Sequence, residues 1–148
     1  MAGAPAHCAR VKPEQTQRLA AYGVLVESGR LLLCRLNLPN EWDGHWTLPG
    51  GGLEFGEHPE QGLRREFREE TNLHVSARRL LGIDSRIYTE DPNHHHHALR
   101  FIYSVSRVGG SLTSEEVGTT DLAKFFTRDE VEGLPVVPLV RTALKWSR

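Results

Sequence analysis

The chain reads as an α/β/α sandwich built on a mixed β-sheet. Three observations predict that class: β-type runs bounded by turn residues early and late in the sequence, a helix pattern over Pro59 to Thr71 between them, and a second helix pattern over Val137 to Trp146. Strands interspersed with two main helices bury their apolar faces best as layers, with helices against the sheet.

The elements follow in order. Residues 1–16 are rich in Ala, Pro and polar residues without periodicity and read as a flexible arm, leaving 17–148 as a single domain with structure beginning near Leu19. Leu19 to Val26 and Arg30 to Leu36 are strand-like and separated by Glu27-Ser28-Gly29, a trio suited to a hairpin turn. Asn37 to Gly44 is a loop, and Trp46-Thr47-Leu48 a short strand ended by Pro49. Pro59 suits a first helical turn, where its missing N–H is harmless, and Asn72 suits the left-handed stop of that helix. Leu73 to Tyr88 and Leu99 to Val108 read as strands joined through Asp91-Pro92-Asn93, with Gly109-Gly110 as a break. Asp121 to Phe126 reads as a last strand and Arg128 to Glu132 as a helical turn.

Bulk composition excludes several classes. Lys and Arg total 18 against 19 Asp and Glu, so a net charge of -1 gives no global field for a nucleic-acid polymer or an anionic membrane. No apolar run approaches the roughly 20 residues that a membrane span requires, and no secretory h-region precedes Arg10, so the expected setting is the cytoplasm. Cys8 and Cys34 fit reduced thiols better than a disulfide framework.

Chemistry concentrates between Gly50 and Leu73. On a helix, Glu66, Glu69 and Glu70 stand at i, i+3 and i+4, so three acids share one side and repel one another unless a cation sits among them. Oxygen-only ligands favour magnesium, with manganese as a substitute. The glycines Gly50 to Gly52 let the backbone approach a metal or phosphate closely, although no Gly-Lys-Ser/Thr follows to make a P-loop.

Gly51, five residues, Glu57, seven residues, then Arg65-Glu66-Phe67-Arg68-Glu69-Glu70-Thr71-Asn72-Leu73 resembles the Nudix box, G-x5-E-x7-R-E-U-x-E-E-x-G-U, at every fixed position except Asn72, where that family has Gly. The stretch Trp46 to Gly51 resembles the entry to this helix in MutT-type members. The resemblance implies a magnesium-dependent hydrolase that cleaves the diphosphate linkage of a small nucleotide, either a nucleotide sugar such as ADP-ribose or a nucleoside triphosphate. It implies Glu66, Glu69, Glu70 and the Gly50 carbonyl as metal ligands. Glu66 and Glu69 are then catalytic, Arg65 orients a glutamate, and Glu57 braces the loop or reaches a second metal. It also points to a general base on a later loop, for which Glu115, Glu116 and Asp121 are candidates and Glu116 is preferred. A homodimer is compatible with it.

Around the box, Arg35, Trp46, Gly51 and Glu57 are the expected substrate-binding residues, with Trp42 a second candidate for stacking on a base and buried packing the alternative for Trp46. Along His94 to His97 only alternate residues share a face, so His94 with His96 or His95 with His97 can act together, and a rim position near substrate is preferred over a zinc site. Two rival functions remain: a non-catalytic nucleotide sensor, and a prenyl-diphosphate isomerase that would draw on Cys34 and the histidines.

Overall fold

The computed structural model describes residues 12–114 and 118–148, except the side chain of Glu90. β1 (Glu14–Glu27) turns through Ser28 and Gly29, at φ 49° and 73°, into β2 (Arg30–Leu36). Two successive positive φ values match the twist that joins antiparallel strands tightly. β3 (Trp46–Thr47) and β4 (Gly50–Gly52) lead to α1 (Pro59–Thr71), followed by the long hairpin of β5 (Leu73–Asp91) and β6 (His94–Gly110). β7 (Thr120–Thr127), α2 (Arg128–Glu132) and α3 (Pro138–Trp146) complete the order.

The sheet is mixed: β1 runs parallel to β6, while the β1–β2, β1–β4, β2–β3, β2–β7 and β5–β6 pairs are antiparallel. Alternation along the central strands feeds two cores. Leu25, Leu32 and Cys34 pack with Leu63 and Phe67 of α1, whereas Val24, Leu31 and Leu33 pack with Val131 of α2 and Leu139 and Val140 of α3. The expected α/β/α sandwich is thus realised.

β1 and β2 pair only at Val26 with Leu31 and Glu27 with Arg30, then diverge. β4 enters the fork and pairs with Ala20 to Tyr22. The fork opens onto a cavity lined by Tyr22, Leu36 and Gly50 to Gly52.

Several boundaries differ from expectation: β5 runs on to Asp91, β6 begins at His94, Gly50–Gly52 forms a strand, and two further differences have a clear cause. β1 starts at Glu14, not near Leu19, so residues 14–16 belong to the sheet; the part of the proposed arm before residue 12 lies outside the described residues. The cause is tertiary: residues Glu14 to Gln17 pair in register with His94 to His97, and Thr16 Oγ1 lies 3.0 Å from His94 Nε2 and 2.9 Å from His96 Nδ1. Polar residues without periodicity give no hint of such a ladder. Likewise Gly109 and Gly110 do not break β6, because they pair with His74 and Leu73.

α1 begins with a capping box at His58 and ends at Asn72, which is left-handed at φ 58°. Its amide Nδ2 donates to the Ser111 carbonyl at 3.0 Å, a bond glycine could not make. Asn72→Ala is expected to cost about 1–2 kcal/mol, from left-handed strain and the lost bond. Asn72→Gly trades the bond for conformational ease and is expected to fall within about 0.5 kcal/mol of the parent. Urea denaturation of the two variants checks both.

Candidate functional site

The site is built where α1 meets β4. Gly50 has φ 146°, and a Cβ there would stand 2.2 Å from the Ala21 carbonyl oxygen, so only glycine can hold this pairing with β1. At Gly51 the neighbour is a functional group: a Cβ would stand 2.7 Å from the Glu66 carboxyl carbon. The absent side chain is what lets Glu66 lie against the backbone.

The three acids of α1 do not all converge. Glu66 and Glu70, one turn apart, line a cavity of about 370 Å³ together with Gly50, Gly51 and Gly52. Glu69 does not line that cavity but lies half-exposed beside it, in a recess with Glu57, Arg64 and Arg68, held by the same Arg65 nitrogen that bonds Glu66. Helical rotation explains the split, since Glu69 stands about 100° around the axis from Glu70, and Arg65 one turn earlier lies on its side with Nη1 3.4 Å from Glu69 Oε2.

Arg65 organises the rest. Its Nε and Nη2 each donate at 2.9 Å to one oxygen of Glu57, Nη2 also donates to the Gly52 carbonyl at 3.0 Å, and Nη1 donates to Glu66 Oε1 at 3.0 Å. Glu57 additionally accepts from the Glu54 N–H at 3.1 Å. The guanidinium thereby ties loop, strand and helix together. Through its hydrogen bonds from Arg65 and then from the Glu54 backbone, the Glu57 carboxyl is held down to about 2. Burial pushes the Glu66 carboxyl up against the opposing pull of Arg65. Glu70, only 5% exposed, accepts from the Gly50 N–H at 2.9 Å.

Among the described residues no three His, Cys, Asp or Glu side chains form a ready metal cage. The donors that face the cavity nevertheless suit a hard divalent ion: two carboxylates of one helix beside glycine backbone that no Cβ screens. Magnesium characteristically takes one or two protein carboxylates and completes its shell with water and substrate phosphate.

The other candidates separate into those at the cavity and those away from it. Trp42 lines it, half-buried and edge-on to His45. Trp46 is buried instead against Phe126, ring centroids 4.7 Å apart, and serves the core. Arg35 does not line the cavity; its Nε and Nη2 donate to both oxygens of Asp121 at 2.9 and 3.1 Å across β2 and β7, and this pairing holds the Asp121 carboxyl low. Glu57 is part of the brace and not of the cavity wall. Glu115 and Glu116 lie outside the described residues. Cys34 is fully buried in the core on the α1 side, which removes the nucleophile of the isomerase reading from the cavity.

Sequence reasoning missed Arg18, Tyr22, Arg86, Tyr88 and Arg100, all of which line the cavity. The available signal was spacing: Arg18 with Tyr22, and Arg86 with Tyr88, stand at even separations and so share a strand face.

A family model described as the NUDIX domain matches residues 16–146. The chain belongs to the NUDIX family. Among curated NUDIX relatives, an ADP-ribose pyrophosphatase of Methanocaldococcus jannaschii is 31% identical over 94 residues, covering 64% of this chain and 53% of that protein. The nucleoside triphosphatase NudI of Enterobacter is 42% identical over 55 residues, 36% of this chain and 39% of that protein. The chain therefore spans about half or less of these relatives' lengths. A NUDIX hydrolase structure from Nitrosomonas europaea superposes with a TM-score of 0.75 at 23% identity, covering 89% of this chain and 88% of that one, a likeness of fold. Among the described residues no helix is long and apolar enough to cross a membrane.

Because the Glu57 carboxyl titrates lower in the folded chain than its ordinary 4.5, the Glu57–Arg65 pair contributes stability that is complete above 4.5 and drains as pH falls toward about 2. Glu57→Gln is expected to be less stable near neutrality and to flatten that acid-side loss. Denaturant midpoints measured across the interval check the slope.

Proposed function

We propose that this chain hydrolyses the diphosphate linkage of a nucleoside diphosphate derivative with the help of a divalent ion, magnesium by preference and manganese as a substitute. The observation that carries this reading is the pairing of Glu66 and Glu70 with the glycine backbone of β4 on the wall of one cavity. In this reading Glu66, Glu70 and the Gly50 carbonyl hold the ion, with Glu69 at its outer edge. When bound, such an ion neutralises diphosphate oxygens and acidifies a water.

The protein's own part is positional and electrostatic. Arg65 holds Glu66 against Gly51 and so fixes where the diphosphate docks. The apolar wall of Leu36, Leu38, Val137 and Leu139, with Trp42 nearby, suits a nucleobase. Water oxygen forms a bond to one phosphorus, the bridging P–O bond breaks, and the water's proton passes to a carboxylate, that of Glu66 or Glu69 on α1 or that of Glu116. The products are a nucleoside monophosphate and a phosphorylated remainder. Nucleotide sugars such as ADP-ribose and nucleoside triphosphates are both supported as substrates by the names that the relatives carry.

Glu70→Gln keeps an oxygen for the Gly50 N–H while removing the charge, so folding is expected to survive and turnover with magnesium to fall about a hundredfold or more, equivalent to about 3 kcal/mol. A nucleotide panel with released phosphate products as readout tests this, and undiminished turnover in Glu70→Gln would sink the assignment. Gly51→Ala pushes a methyl into the Glu66 carboxyl without demanding a positive φ. It is expected to lower kcat about tenfold or more while changing stability far less than Gly50→Ala, by thermal unfolding.

A further inference from the structure

The cavity has a second, cationic end beside the acid pair, lined by Arg18, Arg86 and Arg100. Strand register places its residues in rows. Ala98, in the middle strand β6, faces Arg18 on β1 and Arg86 on β5; the next row outward is Thr16, His96 and Tyr88, and the next inward is Ala20, Arg100 and Asp84. Members of one row point to the same face, so the Arg18 and Arg86 side chains leave the sheet on the same side, to either side of the buried Ala98. The result is a notch between Arg18 and Arg86, walled by Tyr88 and Arg100.

Neutralisation within this group is uneven. Arg100, with a side chain 12% exposed, donates to Asp84 through both Nε, at 2.8 Å, and Nη2. Arg18 is shared with the acid end, where its charge pulls against the upward shift of the Glu66 carboxyl and it hydrogen-bonds Tyr22, whereas Arg86 is exposed at the edge of the same cavity. Like charges that line one cavity repel one another, and an anion between them turns that repulsion into attraction.

The notch and the acid pair are a short step apart. Gly52 pairs with Ala20, two residues along β1 from Arg18, or about 7 Å. The Arg18 guanidinium reaches back over that gap, passing 3.2 Å from where a Cβ on Gly52 would stand.

We propose that the notch between Arg18 and Arg86 is a subsite for a phosphoryl group lying beyond the scissile diphosphate, gripped by the two arginines. The chain on this view selects substrates that carry an additional phosphate over nucleotide sugars ending in a neutral sugar. This deepens the hydrolase reading and rests on it. The arginine fork matches phosphate oxygens in pairs, which a neutral sugar hydroxyl cannot reproduce. The extra phosphate has two chemical sources: the third phosphate of a nucleoside triphosphate, or a phosphate on the sugar of a nucleotide sugar.

The test compares kcat/KM with magnesium for a nucleoside triphosphate, ADP-ribose and ADP-ribose 1″-phosphate, in the parent chain, Arg86→Ala and Arg86→Lys. Arg86 is exposed on the edge strand, so these variants fold. At least one phosphate-bearing substrate is expected to lead ADP-ribose by roughly tenfold, and which one leads identifies the source. In Arg86→Ala that lead shrinks to about twofold or less through KM, and Arg86→Lys restores part of it. Equal kcat/KM for all three substrates, or a variant that lowers all three alike, overturns the subsite. Calorimetric titration with tripolyphosphate and with pyrophosphate gives an answer independent of turnover. Tighter binding of tripolyphosphate by the parent but not by Arg86→Ala supports the subsite, and no difference in the parent overturns it. Failure to hydrolyse any substrate defeats the hydrolase reading alone, while the titration still decides the notch.

Discussion

A single guanidinium holds the site in shape. Arg65 donates to Glu57, Glu66, Glu69 and the Gly52 carbonyl, and so fastens α1, which carries Glu66 and Glu69, to the preceding loop and to β4. Its planar fork with five fixed donors is what makes simultaneous engagement of loop, strand and helix feasible; a lysine ammonium offers three donors from one point and cannot span them. The side chains of Arg65 and Glu57 are 25% and 13% exposed, so water competes less for the pair than it would at an open surface. The positions of Glu66 and the β4 backbone therefore follow from one contact network.

Glycine completes what Arg65 begins. Gly50 is required by backbone geometry, because its φ and the closeness of Ala21 forbid a side chain. Gly51 is required by space, because the Glu66 carboxylate occupies the volume that a Cβ would fill. Two adjacent glycines thus serve different ends, one structural and one chemical, and a turn alone would have asked only for the first.

How much of this was legible in the sequence depended on whether the determinant was local. The β1–β2 hairpin, α1 from Pro59 to Thr71 and its left-handed stop at Asn72 were readable because turn residues, a first-turn proline and residue spacing act within a few positions. The acids of the box were readable as a set, but their division was not, because helical spacing gives the angle between them while the docking of α1 on β4 decides which of them faces the cavity. The start of β1 at Glu14 and the fate of Arg35 needed strands distant in sequence: His94 to His97 for the first and Asp121 for the second. The cationic end of the cavity was hidden for the same reason. Arg18, Ala98 and Arg86 become neighbours only through the β1–β6–β5 register.

The acid cluster of α1 looked unstable without a cation, and the structure shows how the helix tolerates it. Glu69 has Arg65 one turn away, Glu66 has the same guanidinium at 3.0 Å, and Glu70 is met by a backbone N–H, so each carboxylate has a donor drawn from the protein. Arg64 and Arg68 bracket the run on the more exposed side. Like-charge repulsion of a few tenths of a kcal/mol per pair is small beside charge-assisted bonds of about 1.5–3 kcal/mol each, even when those bonds are discounted for partial exposure. The geometry of the acids is thus a property of the folded chain itself. An incoming ion would meet Glu66 and Glu70 already placed and would not have to gather them, which lowers the ordering cost of binding.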